Sequence, residues 1–152
     1  MNKRKVVLAA ALFLTAGLSS GFAREPGWIV DAKSGCRVWN PIPAVDDRIM
    51  WDGPCVGGYA QGHGTLRWYS GDKHYETDVG EFKTGKLNGH AVLEFTNHSR
   101  FEGEFKDQRP NGQGTWRTPT GKVISGNWSH GCLRVRDQWV TYNAKPEECG
   151  TY

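Results

Sequence analysis

The chain has 152 residues, 38% hydrophobic and 23% charged, with 20 glycines and 7 tryptophans, a length that suits one domain. Its formal net charge of +3 comes from its start: residues 1–23 hold Lys3, Arg4 and Lys5 and no acidic residue, leaving 16 of the 19 basic residues against 16 acidic ones. That balance gives nucleic acid no electrostatic footprint and gives an anionic membrane no long-range pull.

Lys3 to Lys5 precede a mostly apolar run, Val6 to Leu18, followed by the small residues Gly21 and Ala23. This order reads as a Sec-type signal peptide of residues 1–23, cleaved after Ala23. The run is shorter than the roughly 20 residues of a membrane span. The first cysteine is Cys36, too far along for a lipid anchor at the cleavage point. A periplasmic or secreted location is expected. Residues 24–50 then read as an N-terminal cap segment. In an oxidising compartment the four cysteines are expected to form two disulfides. Three pairings are possible; Cys36–Cys55 and Cys132–Cys149 are favoured because each closes a short loop at one end of the array described next.

From residue 51 to 131 one short pattern recurs. A glycine is followed two residues later by a bulky or apolar residue at Gly53/Cys55, Gly80/Phe82, Gly103/Phe105 and Gly126/Trp128. A second glycine comes nine residues after each of the first three, at Gly62, Gly89 and Gly112, and Gly64, Ala91 and Gly114 stand two further on. A fixed period of this size signals stacked structural units. In the third unit Phe101, Gly103 and Phe105 alternate with Glu102, Glu104 and Lys106, the period of a half-buried strand. Asp107 to Gly112 has turn composition, and a second strand follows through Gly114 and Trp116. Each unit thus reads as a β-hairpin. Edge-to-edge joining predicts an all-β fold: one elongated, twisted antiparallel sheet in which rings lie over bare glycines. Unit two has Asp78 where units one and three place an aromatic, so a shifted or frayed strand is expected there. Unit four keeps only Gly126 and Trp128 and reads as a capping half-repeat, with residues 132–152 as a C-terminal cap.

This spacing resembles the MORN (membrane occupation and recognition nexus) repeat, roughly Tyr-x-Gly-x-Trp/Phe, about five residues, then Gly-x-Gly. Phe101, Gly103, Phe105, Gly112 and Gly114 match it, as do Trp51, Gly53, Gly62 and Gly64, with Cys55 in the second aromatic position. The lead-in from Cys36 to Pro41, together with Cys55, resembles that of exported bacterial MORN proteins, where the pair forms a disulfide. The resemblance implies a scaffold that binds proteins or phospholipid surfaces.

Signals for chemistry are weak. There is no Gly-x-Ser-x-Gly and no His-Glu-x-x-His, and Gly85-Lys86 and Gly121-Lys122 lack the Ser/Thr of a phosphate loop. His63 and His90 share a repeat position with Gln113, and no recurring acidic or thiol ligand stands beside them in sequence. No catalytic residue, metal or cofactor is therefore expected. The candidate site is the aromatic face: Trp51, Trp68, Tyr69, Phe82, Phe95, Phe101, Phe105, Trp116 and Trp128, bordered by Trp139 and Tyr142. Such a stripe must be covered by the chain's own ends, by a second copy, or by a ligand. The expected function is a non-enzymatic exported binding module for a protein partner, itself exported or of the envelope. The alternatives are a scaffold on a membrane or envelope surface, and an exported enzyme inhibitor or immunity-type protein; a homodimer is compatible with each.

Overall fold

The computed structural model describes residues 25–150; the signal segment expected at 1–23 lies outside the described residues. The fold is all-β. In chain order the strands are β1 (Gly27–Val30), β2 (Arg37–Asn40), β3 (Asp47–Asp52), β4 (Cys55–Val56), β5 (Tyr59–Ala60), β6 (Gly62–Ser70), β7 (Lys73–Lys83), β8 (Lys86–Phe95), β9 (Arg100–Lys106), β10 (Arg109–Arg117), β11 (Val123–Trp128), β12 (Cys132–Val135) and β13 (Gln138–Thr141). A short 3-10 turn, Pro146–Glu148, follows. The stacked hairpins form a seven-stranded antiparallel sheet in the order β11-β10-β9-β8-β7-β6-β3. The flanks add a four-stranded sheet, β1-β2-β5-β4, and the β12–β13 hairpin.

Strand alternation and register sort the inner face into rows that cross the sheet. One row is small: Gly64, Gly80, Ala91, Gly103, Gly114 and Gly126 are partners in succession. Beside it runs a large row: Trp51, Leu66, Asp78, Leu93, Phe101, Trp116 and Ile124. Rings of the large row lean over the small one. A Cβ on Gly114 would lie 2.6 Å from the Phe101 ring and 3.0 Å from that of Trp128, and a Cβ on Gly53 would lie 2.5 Å from Trp51. Glycine is weak in a strand by propensity, but here its missing side chain is the space the ring fills. On the other flank, Phe82, Phe105 and Trp128 each face a glycine across the ladder: Gly62, Gly89 and Gly112. The last two glycines sit at bulges with φ of 122° and 118°, where a side chain would be strained.

Hairpin turns bond to one another at the repeat period. Gly85 N–H donates to the Ala60 carbonyl (2.8 Å), Gln108 N–H to Leu87 (3.0 Å) and Gly131 N–H to Pro110 (2.8 Å). The flanks then cap these turns: Trp39 N–H donates to Gly85 O, Asn143 Nδ2 to Gln108 O and Tyr142 N–H to Gly131 O.

Two local expectations are corrected and a third is narrowed. Cys55 does not share the inner face with Trp51. Pro54 offers no N–H to the ladder, its carbonyl accepts from Trp51 Nε1 (3.0 Å), and the chain leaves after Asp52 to pair in the N-terminal sheet. Pro110 lies in β10 opposite Phe105; the turn is only Asp107-Gln108, both with positive φ, and the bulge after Pro110 absorbs the extra residues. The start of unit two is shifted and not frayed: β7 spans 11 residues, and its register with β6 shifts between Trp68 and Tyr69.

Both favoured disulfides are present, Cys36–Cys55 with Cα atoms 5.9 Å apart and Cys132–Cys149 at 5.8 Å. The second pins the segment that carries Tyr142 onto the sheet. Cys132→Ala/Cys149→Ala should cost about 2–4 kcal/mol by freeing the unfolded chain, read from the urea midpoint. Amide exchange at Tyr142 should accelerate more than at Phe101; equal acceleration would show that this segment does not open on its own.

Candidate binding surface

The nine predicted site residues come together, but mostly as core. Trp51, Trp68, Phe82, Phe101, Phe105 and Trp128 are buried, so they are not a surface for a partner. The chain's own ends cover them: Cys36 and Val38 from the N-terminal segment and Leu133 from β12 belong to the same apolar cluster, with Tyr142 packed against it. Phe101 is the hub, edge-on to Phe105 and Trp128 at 5.3 Å each and stacked against Tyr142 at 6.4 Å. Trp51 meets Phe82 edge-on at 4.7 Å. Phe95 and Trp116 are half-buried, 5.4 Å apart, and both touch Tyr142. Tyr69 is half-buried beside His74 and Arg48. Trp139, expected as a border, is exposed and carries Arg134 over its ring at 5.6 Å.

A polar cluster interrupts this core. Asp78, 1% exposed, stands in the large row where its counterparts are Trp51 and Phe101, and Glu76, 7% exposed, stands two residues before it on the same face. Trp68 Nε1 donates to Asp78 Oδ2 (2.9 Å), and the Tyr142 hydroxyl donates to Glu76 Oε1 (2.5 Å). Asp78 Oδ1 faces no donor group. Burial raises the Asp78 pKa well above the usual carboxylate range, and the Glu76 charge adds to it. Glu76 is raised as well, by burial. Both shifts favour the neutral form of these two acids, that of Asp78 the more strongly. A pocket of about 180 Å³ opens beside them, lined by Glu76, Trp68, Tyr75 and Tyr142 but not by Asp78.

The outer face is a lattice of exposed, mixed charge. Arg100 pairs with Glu102 (2.6 Å) and Glu94 (3.8 Å), and this guanidinium holds Glu102 below the ordinary glutamate range. His90 does have acidic neighbours, contrary to its sequence surroundings: Glu104 at 3.3 Å and Glu102 at 3.6 Å, brought across from β9. Such exposed pairs add only a few tenths of a kcal/mol each. Among the described residues no three His, Cys, Asp or Glu side chains gather to hold a metal.

Sequence reasoning missed an aromatic–basic patch at the junction of the two larger sheets. Trp28 on β1, 42% exposed, is held edge-on by Trp39 (5.1 Å) and Tyr59 (4.9 Å). Lys86 Nζ lies 5.1 Å from the Trp39 ring centre and 6.0 Å from that of Trp28, and Arg37 sits over Tyr59 at 4.9 Å. Only the spacing of Trp28 and Trp39 about a turn hinted at a cross-strand pair; nothing local links them to Lys86.

The MORN repeat matches residues 56–73, 79–100 and 101–123. The chain is a MORN-repeat protein. MORN repeats are modules that bind proteins or membranes. Comparison with curated protein sequences gives no match. The two buried acids of this MORN protein fall in the gap between the first and second matched segments, where the repeat's aromatic is lost. Trp28, Arg37 and Trp39 precede all three.

Proposed function

We propose that this MORN-repeat protein is an exported, non-enzymatic binding module that recognises a protein partner. The observation that carries the reading is the set of registered repeats folded into one continuous sheet with each flank tied by a disulfide. Such a surface is fixed before a partner arrives, so little ordering entropy opposes association. The disulfides fit an oxidising compartment. Among the described residues no helix is long and apolar enough to cross a membrane. The repeat rings serve the core, which leaves partner recognition to the outer charged face and to the exposed groups at the ends of the sheet.

Crosslinking in a native bacterial envelope, followed by affinity recovery, is expected to return one exported protein in every repeat. Failure to recover any protein reproducibly would end this reading. Co-sedimentation of the purified protein with vesicles of several lipid compositions separates the alternative: strong pelleting without a partner would replace protein recognition by membrane recognition.

A further inference from the structure

The aromatic–basic patch gathers lysines around one cleft beside an exposed ring. A cleft of about 390 Å³ is lined by Trp28, Lys83, Lys86 and Lys106, with Asp107 its one acidic lining residue. Among the described residues none of Lys83, Lys86, Lys106 and Arg37 forms an ion pair. Lys83 and Lys86 are direct partners across the β7–β8 ladder, and like charges placed so are destabilising. One repeat further on, the equivalent of Lys86 is Arg109, and there a carboxylate is supplied: Glu148 lies 3.1 Å away. The patch thus lacks a counter-charge where the neighbouring repeat has one.

Its second feature is an edge. Trp28 belongs to β1, the outermost strand of the N-terminal sheet, whose far side pairs with no strand among the described residues. An unpaired strand edge offers N–H and C=O groups that only another peptide backbone matches along its length. Trp28 adds a rigid ring, of the residue type that anchors protein interfaces.

We infer that Trp28, Lys83, Lys86 and Lys106 form the docking site for an extended acidic segment of a partner protein, which pairs with the β1 edge and sets its carboxylates on the lysines. The inference rests on the protein-partner reading above and names its surface. Lysine charge gives the complementarity and the on-rate; Trp28 and the strand edge give position.

The test uses a capped octapeptide of alternating glutamate and valine, titrated into the purified protein and followed by NMR. Shifts are expected first at the Trp28 indole and at the Lys86 and β1 amides, weakening as salt rises from about 50 to about 500 mM. The triple variant Lys83→Gln/Lys86→Met/Lys106→Gln, which keeps the stem of Lys86 over the rings, should weaken binding at least about tenfold while its amide spectrum stays folded. Equal binding of the lysine-for-glutamate peptide, or shifts mapping elsewhere, overturns the inference. So does binding to phosphatidylglycerol vesicles with none to the peptide. The two readings fail separately. A native partner still captured by the triple variant sinks this site and leaves partner binding intact; peptide binding at the patch with no partner captured does the reverse.

Discussion

Phe101→Ala should cost about 3–5 kcal/mol, the largest loss expected from a single side chain here. Phe101 is fully buried, and its neighbours come from three places: Phe105 on its own strand, Trp128 on β11, and Tyr142 just after β13. Each is held by its own ladder or turn bond, so the cavity cannot collapse. Against a total of about 5–15 kcal/mol for a domain, the urea midpoint should fall by a large fraction. A second substitution isolates the nesting of ring over glycine. Gly114→Ala places a methyl 2.6 Å from the Phe101 ring in the parent. In the Phe101→Ala background that clash disappears, so the second change should cost clearly less than it does alone. Strict additivity of the two would show that the ring does not rest on Gly114.

The parts of the fold legible in sequence are those that repeat. A glycine and an aromatic at a constant step dictate which residues meet across the ladder, so the small row and its overlying rings follow from spacing alone. The misplacements lie where one residue breaks the period. Pro54 ends the ladder for unit one and sends Cys55 to another sheet. Pro110 is tolerated within β10 because a bulge follows it. Covering of the aromatic face was not legible, because Val38, Leu133 and Tyr142 lie in segments without periodicity and reach the rings only through the tertiary fold. The basic patch was hidden for the same reason: its lysines come from hairpin ends more than fifty residues after Trp28. Asp78 was visible as a departure from pattern, yet its partners, Trp68 on the preceding strand and Glu76 beside it, emerge only from register.

That departure has a thermodynamic signature. As pH rises from about 5 to 8 the protein should lose stability, by up to about 1.4 kcal/mol per pH unit for each proton the folded state retains and the unfolded state has released. Asp78 and Glu76 are both raised by burial, and free carboxyls titrate near pH 4. Their contribution is therefore complete below about pH 4 and disappears as pH climbs toward the folded values. Other groups act in the opposite direction at the acid end. Burial pushes Asp31 up, but the Ser34 hydroxyl and the backbone N–H groups of Lys33 and Ser34 outweigh it, and Glu102 is lowered by Arg100. Both stabilise above their unfolded pKa and lose that contribution as pH falls, so stability should peak in mildly acid solution. Asp78→Asn separates the effects. The amide oxygen still accepts from the Trp68 indole N–H, and the side chain no longer titrates or sets a charge against Glu76. The variant should show a flatter stability curve between pH 5 and 8 and exceed the parent at pH 8, read from urea midpoints at each pH. A parent whose stability instead rises across that interval, or a variant with an unchanged slope, would mean that burial does not hold the Asp78 proton above its ordinary range.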